Sequence, residues 1–313
     1  MADEKPAAHA TYKPIEVEEL VDVHLHRPAA RALVRVIKDT PITSNQVTVL
    51  SGVFGIIAGM LIGFGDPGRL WPVALGGVAL FMSVVFDCAD GQLARLRGTS
   101  SLAGRALDGF IDIVPIASVF IGWALFLDHY GFNPYYSWPV ATAAGLSVRW
   151  HAETYDYAKC LFLANTHPNP GGEAMPSMEE IEAERQRLIR EGNRGMAFFM
   201  LLFKAYTKAQ RARKQGQAGL DEPGMANAEE RSLYRRLFGR AMRLWSWNGI
   251  GTHNFLLYAA AILTPVWPAA AFATFWIIIL PLNALTLGLQ QWGKALERRL
   301  AVELRGARGG DAA

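Results

Sequence analysis

At positions 87–95 the chain reads Asp87-Cys88-Ala89-Asp90-Gly91-Gln92-Leu93-Ala94-Arg95, directly after a long apolar run. Gly104, Asp108 and Asp112 follow, and a second apolar run begins at Ile113. Four carboxylates therefore stand between two segments that have the composition of membrane helices. Each ionised carboxylate near a bilayer centre costs roughly 2.5–3.5 kcal/mol, so a compensating positive group is required. A pair of divalent metal ions is the simplest candidate, because hard cations prefer carboxylate oxygens.

The spacing of these aspartates places them on two helix faces. Asp87 and Asp90 are three residues apart, and Asp108 and Asp112 are four apart, so the members of each pair share one face of a helix. Two such helices packed against each other would bring all four carboxylates into one small volume. The spacing therefore predicts a single acidic site.

Two glycines and an arginine accompany the aspartates. Gly91 and Gly104 have no Cβ, which allows a ligand or an opposing backbone to come close. Arg95 lies one turn after Gly91 and offers a planar pair of donors to phosphate oxygens. These residues indicate a phosphate-containing ligand beside the acidic site.

The whole arrangement resembles the signature of the CDP-alcohol phosphatidyltransferase family, D-x2-D-G-x2-A-R-x8-G-x3-D-x3-D. Its fixed positions are all filled, by Asp87, Asp90, Gly91, Ala94, Arg95, Gly104, Asp108 and Asp112. The resemblance implies an integral membrane enzyme of phospholipid synthesis that uses Mg²⁺ or Mn²⁺, with two ions per active site. It also implies a homodimer that transfers a substituted phosphate group from a CDP-alcohol to an acceptor hydroxyl and releases CMP.

The resemblance assigns roles to individual residues. It implies that all four aspartates hold the metal ions and that Asp112 is also the base that takes the acceptor's proton. It implies nucleotide or phosphate contacts for Gly91, Ala94, Arg95 and Gly104. The segment 41–48 resembles the family's entry to the first membrane helix, which adds Asn45 and Thr48 to the nucleotide contacts. Here Ser44 stands where the family often has proline.

Composition predicts an all-α, polytopic membrane protein. Hydrophobic residues make up 51% of the chain and mean hydropathy is +0.14, while charge is concentrated in a few segments. A net charge of +3 without an aromatic-interleaved basic patch argues against nucleic acid as a partner. An amphipathic helix at 20–38, broken near Pro28, is expected on the inner leaflet. Six segments of about 20 residues are expected to span the membrane, namely 46–64, 71–90, 107–127, 138–163, 245–264 and 269–289.

Basic residues predict the orientation of these spans. Lys and Arg are frequent before the first span, between the second and third, in the segment 165–243 and after the last span, whereas the loops 128–137 and 265–268 have none. The positive-inside rule then places both termini and the aspartates on the cytoplasmic side of the inner membrane. The predicted organisation is a cytoplasmic segment 1–45, a catalytic domain 46–290 interrupted by a cytoplasmic insertion 165–243, and a cytoplasmic tail 291–313.

Within the insertion, Ser177 and Glu180 predict a capped, charged helix. The apolar segment 195–206 is too short to span and is expected to pack at the interface or under the helices, and 208–230 is expected to be a polar loop.

The motif does not identify the acceptor alcohol. Arg149 lies in the fourth predicted span, where an unpaired guanidinium is costly. It therefore either forms a structural ion pair with Glu153 or, with His151, binds an anionic acceptor such as a sugar phosphate or polyol phosphate.

We expect the CDP-alcohol to be CDP-diacylglycerol, and two other functions stay open beside this transfer. One is phosphocholine- or phosphoethanolamine-type transfer from a CDP-amino-alcohol to diacylglycerol. The other, a divalent-cation transporter, has no need of Gly91, Ala94 and Gly104 at this spacing, and Arg95 would repel its ions.

Overall fold

The computed structural model describes residues 15–167, 176–214, 225 and 227–310, and these residues form helices and no strand. The all-α prediction is confirmed for them. Predictions that fall on 1–14, 168–175, 215–224, 226 and 311–313 lie outside the described residues. The α-helices are α1 (Arg27–Ile37), α2 (Ser44–Gly63), α3 (Trp71–Leu96), α4 (Leu102–Ile111), α5 (Ile113–His129), α6 (Pro134–Thr166), α7 (Met178–Arg190), α8 (Arg194–Lys214), α9 (Ala228–Trp245), α10 (Ile250–Leu263), α11 (Ala269–Ile277) and α12 (Asn283–Gly310).

Four helical segments among the described residues are long and apolar enough to cross a bilayer. They are Ser44–Gly63, Trp71–Leu96, Leu102–His129 and Ala269–Arg305, and they match the first, second, third and sixth predicted spans. The predicted spans 138–163 and 245–264 are helical too, but α6 carries charged residues along its second half and α10 has only 14 residues. Four candidate spans are therefore confirmed, and the six-span topology stays a prediction.

Small residues bring α2 and α5 into close contact at the centre of the fold. Gly59 of α2 faces Ser118 and Gly122 of α5, and a Cβ at Gly59 or Gly122 would overlap the opposite helix. Contacts between small residues let membrane helices pack backbone against backbone. Trp123 and Phe275 fill the adjacent layer edge to face, at 6.3 Å between ring centroids. This rigid bundle carries the helix ends on which the aspartates lie.

The N-terminal helix packs against α3. It starts at Leu20, passes through a π-helical turn (Asp22–His26) and continues as α1. The predicted break at Pro28 is wrong, because the π-helical turn just before it widens the helix and accommodates a residue that has no N–H donor. Ala30, Val34 and Ile37 are buried in a cluster with residues of α2 and α3. The predicted position on the inner leaflet is not confirmed.

The insertion is largely helical where it is described. α7 starts with the predicted capping box, in which Ser177 and Glu180 exchange backbone-to-side-chain hydrogen bonds. α8 contains the apolar segment 195–206 and buries Ala197 and Met200 against α4 and α7. α9 packs against α6 and α12. The predicted polar loop 208–230 is wrong for the part up to Lys214, where α8 continues, and for the part from Ala228, where α9 begins.

The last predicted span, 269–289, is divided. α11 ends at Ile277, a π-helical turn (Ile278–Leu282) contains Pro281, and α12 follows. Proline has no N–H for the helical ladder, and a wider turn accommodates the missing bond. The chain thereby continues from the apolar α11 into the long, partly charged α12.

Candidate functional site

Three of the four motif aspartates meet at the junction of α3 and α4. Asp87 and Asp90 lie near the end of α3, and Asp108 lies on α4. One carboxylate oxygen from each lies within 4.8 Å of the others. Asp90 is 5% exposed, and the other two are half-buried. The predicted convergence of carboxylates on one volume is thus observed for this trio.

Asp112 lies at the edge of the trio. It caps the C-terminus of α4, where α5 begins, and its side chain lies beside that of Asp87. Unlike the trio, Asp112 is exposed, and it lines a large cavity beside the cluster. It therefore touches both the carboxylate cluster and the space next to it.

The cluster suits a divalent cation. Its ligands are carboxylate oxygens, which hard cations such as Mg²⁺ and Mn²⁺ prefer. Oδ2 of Asp90 is buried and has no hydrogen-bond partner among the described residues, an arrangement that is costly unless something positive binds it. Several carboxylates confined to one small volume repel one another strongly in a medium of low dielectric constant. Both observations fit a cation held by Asp87, Asp90 and Asp108.

The first turn of α2 borders the same site. Thr43 and Gln46 form a capping box that fixes the start of this helix. The Thr48 side chain lies beside the Asp90 carboxylate. Oδ1 of Asn45 lies 3.5 Å from the point that a Cβ at Gly104 would occupy. The structure thus brings α2 next to the motif, as the weaker of the two sequence resemblances implies.

The remaining motif positions lie on the last turns of α3. The Arg95 guanidinium folds back over Gly91, with Nη1 3.3 Å from the point that a Cβ there would occupy. Arg95 itself is exposed, Ala94 is half-buried, and Asp90 is in electrostatic range of the guanidinium. A planar cation therefore lies at the open side of the acidic cluster.

A cavity of about 630 Å³ extends from Asp112 between α5 and α6. Its charged lining residues are Asp112, Arg149, Glu153 and Asp156, and most of its other lining residues are apolar. The insertion contributes as well, because α8 places Phe203 and Tyr206 in the wall. Such a cavity offers a polar end beside the aspartates and an apolar remainder.

Arg149 and His151 have different surroundings. Nη2 of Arg149 lies 2.5 Å from Oε1 of Glu153, and both side chains stay partly exposed in the cavity wall, at 47% and 39%. His151 is fully buried and does not line the cavity. Its Nδ1 lies 2.9 Å from Nε2 of His253, and its Nε2 lies 2.7 Å from Oδ1 of Asn283. Both ring nitrogens of His151 therefore already have partners, and its contact with an acceptor stays a prediction.

Sequence reasoning missed the role of Arg97, which it counted only as one of the basic residues. The Arg97 guanidinium donates hydrogen bonds to the backbone carbonyls of Ile37, Lys38, Thr40 and Ile42. It thereby satisfies carbonyls at the C-terminus of α1 and ties the loop before α2 to the end of α3. No local pattern signals a contact between residues so far apart in the chain.

It also missed a network from the N-terminal helix. Nδ1 of His26 lies 2.7 Å from Oδ1 of Asp22, and Nε2 of His26 lies 3.0 Å from the Tyr258 hydroxyl. Both Asp22 and His26 are in electrostatic range of Asp87. The Asp-x3-His spacing on one helix face was the available signal.

Glu19 completes this network at the start of α10. Its carboxylate accepts hydrogen bonds from the Thr252 backbone N–H, at 2.8 Å, and from the Thr252 hydroxyl, at 3.2 Å. Gly249 and Gly251 leave the necessary space, because a Cβ at either position would overlap a carboxylate of this segment. Burial and, to a smaller extent, the charge of Asp22 raise the pKa of Glu19 to about 8.

Comparison with known proteins relates one segment of the chain to a known family. Residues 42–150 match the family model described as CDP-alcohol phosphatidyltransferase. This segment runs from the loop before α2 into α6 and includes every motif residue. This segment of the chain is therefore similar to the CDP-alcohol phosphatidyltransferase domain, as the resemblance implied.

Curated proteins are similar to about a third of the chain. The phosphatidylinositol phosphate synthase of Mycobacteroides abscessus is 32% identical over 102 residues, which are 32% of this chain and 42% of that protein. The synthase of the same name from Mycobacterium marinum is 34% identical over 102 residues, 32% of this chain and 40% of that protein. That from Streptomyces avermitilis is 33% identical over 84 residues, 27% of this chain and 32% of that protein. The chain thus matches less than half the length of these curated relatives.

Proposed function

We propose that this protein transfers a phosphatidyl group from CDP-diacylglycerol to the hydroxyl of an acceptor alcohol, with release of CMP. One observation carries the proposal. Asp112, at the edge of the aspartate cluster, lines a cavity that is otherwise largely apolar. A lipid-linked phosphate needs both features, because its headgroup must reach the carboxylates while its acyl chains stay in an apolar environment.

Asp87, Asp90, Asp108 and Asp112 would hold the metal ions that the family implies. Bound there, Mg²⁺ or Mn²⁺ would supply neutralisation of the pyrophosphate and of the charge that develops on departing CMP. Two ions are proposed because four carboxylates share the site. The orphaned oxygen of Asp90 supports this assignment.

The other residues position the reactants and move a proton. The acceptor oxygen attacks the β-phosphorus of the CDP-alcohol, the bond from that phosphorus to the CMP oxygen breaks, and Asp112 takes the acceptor's proton. Arg95 pairs with a phosphate at the open side of the cluster. Asn45, Thr48, Gly91, Ala94 and Gly104 border the space left for the nucleotide.

Arg149 supports an anionic acceptor. It lies in the wall of the cavity that Asp112 also lines, and its guanidinium stays partly exposed there. A bidentate guanidinium is well suited to a phosphate group. The relatives are named phosphatidylinositol phosphate synthases, which agrees with a phosphate-bearing polyol as acceptor.

A second candidate is transfer from a CDP-amino-alcohol to diacylglycerol. Glu153 and Asp156 favour it, because they place two carboxylates in the same cavity wall as Arg149. A cationic amino-alcohol group would find complementary charge there. Arg149 and Glu153 form an ion pair with each other, however, which leaves either charge available to a ligand only after rearrangement.

The proposed setting is the inner membrane. We propose six spans, in which α6 and α10 join the four candidate spans, with the aspartates facing the cytoplasm. The excess of Lys and Arg on the aspartate side supports this orientation. A homodimer is proposed from the family resemblance alone.

The test is a direct assay of product and metal dependence. Purified protein would be incubated with radiolabelled CDP-diacylglycerol and, in turn, inositol phosphate, glycerol phosphate, inositol and serine, and the lipid product identified by chromatography. We expect CMP release and one labelled phospholipid, both abolished by chelator and restored by Mg²⁺ or Mn²⁺. Parallel reactions with labelled CDP-choline and diacylglycerol test the second candidate. Full turnover in the presence of chelator would refute the metal-dependent mechanism.

A further inference from the structure

A second cavity, of about 350 Å³, lies between α9 and α12 and contains no motif residue. It is lined by Arg236, Leu237, Arg240, Trp292, Leu296 and Arg299. Leu237 and Leu296 are buried and form its apolar part, whereas the three arginines are exposed around it. The cavity therefore combines two buried leucines with three exposed guanidinium groups.

The charges of this cavity are not balanced by the described residues around it. Glu303 lies 2.8 Å from Nε of Arg299 and 4.0 Å from Nη2 of Arg236. Arg240 forms no ion pair within the part of the chain that the structure describes. One carboxylate thus faces three guanidinium groups, and like charges held this close repel one another. An anion bound among them would relieve the repulsion and provide acceptors for their donors.

The position of the cavity along α12 indicates where such an anion lies. α12 continues the apolar segment that starts at Ala269, which is a candidate membrane span. Trp292 follows the apolar half of that segment and is 37% exposed, and charged residues begin at Lys294. Tryptophan and basic residues in this order mark the end of a span, at the level of the lipid headgroups. The arginines of α9 meet α12 at this level.

From these observations we infer that the α9–α12 cavity binds the headgroup phosphate of an anionic phospholipid. The guanidinium groups of Arg236, Arg240 and Arg299 face the phosphate, and Trp292 and the two leucines contact the glycerol backbone and the first part of the acyl chains. Basic pockets between membrane helices on the cytoplasmic side suit anionic lipids in this way. A soluble phosphate would use only the arginines and leave the exposed Trp292 uncovered, so the structure favours the lipid. This site is separate from the aspartate cluster, and the inference does not depend on the transferase activity.

The test compares two double variants that remove the same charge. Arg240→Gln/Arg299→Gln removes two arginines that line the cavity, and Arg243→Gln/Arg298→Gln removes two exposed arginines of the same helices that do not. Each full-length protein would be placed in nanodiscs containing equal phosphatidylglycerol and phosphatidylcholine, and the lipids retained on release would be counted by native mass spectrometry. We expect wild type and the Arg243/Arg298 variant to retain phosphatidylglycerol, and the Arg240/Arg299 variant to bind it about tenfold more weakly.

Two further measurements complete the test. Short-chain phosphatidylglycerol should raise the melting temperature of wild type more than short-chain phosphatidylcholine or inorganic phosphate does. If the double variant does not fold, Arg240→Gln against Arg243→Gln gives the same comparison, since Arg240 takes part in no described ion pair. Equal retention of phosphatidylglycerol by both variants, equal retention of the two lipids by wild type, or stabilisation by inorganic phosphate alone would each overturn the inference.

Discussion

Asp112 touches both halves of the site, because its side chain lies beside that of Asp87 and lines the adjacent cavity. Asp112→Asn preserves the shape of the side chain and removes its ability to accept a proton. We therefore expect kcat for CMP release to fall by about 10²–10⁴-fold. Rates would be measured at saturating CDP-diacylglycerol and Mg²⁺, with Asp39→Asn, an exposed carboxylate outside the site, as the control. A normal rate for Asp112→Asn would exclude this residue as the base.

Arg149 forms an ion pair with Glu153, as one of the two hypotheses from the sequence required, but the pair is not buried. With both side chains partly exposed, its contribution to stability is about 0–1 kcal/mol. We expect Arg149→Gln to leave the melting temperature nearly unchanged and to raise KM for a phosphate-bearing acceptor, while KM for CDP-diacylglycerol stays normal. Glu153→Gln is the matched control, since it breaks the same pair and keeps the guanidinium. Equal acceptor KM values in wild type and Arg149→Gln would favour an uncharged acceptor.

Glu19 gives a prediction about pH. Its pKa in the folded protein is about 8, against an ordinary value of 4.5, so the folded state keeps a proton that the unfolded chain loses. Stability should therefore fall as pH rises from 4.5 to 8, because the unfolded state binds fewer protons over this range. Glu19→Gln resembles the protonated form and should be as stable as wild type at pH 5 and more stable at pH 8. Melting curves at the two pH values decide this, and an identical pH dependence in both proteins would contradict it.

At the scale of residues, the motif spacing was sufficient to place Asp87, Asp90 and Asp108 together. Helix periodicity is local, and two aspartates on one face of each helix leave few alternative arrangements. The surroundings of His151 and Arg97 could not be predicted, because their partners lie on elements distant in sequence. A charged or imidazole side chain in an apolar helix signals that some partner exists, and only the packing of the helices shows which one.

Among the helix contacts, the α2–α5 interface is the most sensitive to added volume. A methyl group at Gly59 would overlap Ser118, so we expect Gly59→Ala to destabilise the protein by about 1–3 kcal/mol despite the better helix propensity of alanine. Gly239→Ala is the control, since Gly239 is helical and has no atom within 4 Å of the added group. That change should be neutral or stabilising by up to about 1 kcal/mol. Thermal unfolding in detergent would be compared, and a stable Gly59→Ala would show that this interface can move apart.

Helix positions were predicted better than helix shapes. Proline and glycine mark the ends of α3, α6 and α11 in the sequence, because they restrict the backbone locally. The π-helical turns beside Pro28 and around Pro281 were not predicted, since proline allows a break, a kink or a wider turn, and tertiary packing selects among them. The motif likewise gave no indication that α8 of the insertion packs against α4.

At the scale of the whole molecule, the orientation in the membrane is the main prediction still to be tested. Two single cysteines would be introduced on a background without Cys88 and Cys160. Ser100→Cys lies in the exposed turn between α3 and α4. Val266→Cys lies in the turn between α10 and α11, where Val266 is 82% exposed. The basic-residue asymmetry predicts that an impermeant thiol reagent added to intact cells labels the second and not the first. Permeabilised cells, in which both should be labelled, are the control. Labelling of Ser100→Cys alone would reverse the proposed orientation.

The hydrogen bonds from Glu19 to Thr252 also set an order of events during synthesis. These residues are 233 positions apart, so the ribosome delivers the donor long after the acceptor has emerged. Until α10 is made, the Glu19 carboxylate lacks these two hydrogen bonds. α1 can pack against α2 and α3 early, whereas the segment around Glu19 completes its contacts late, after most of the helices have been made. A nascent chain that stops before residue 249 would contain every motif aspartate and still lack the contact that anchors its own beginning.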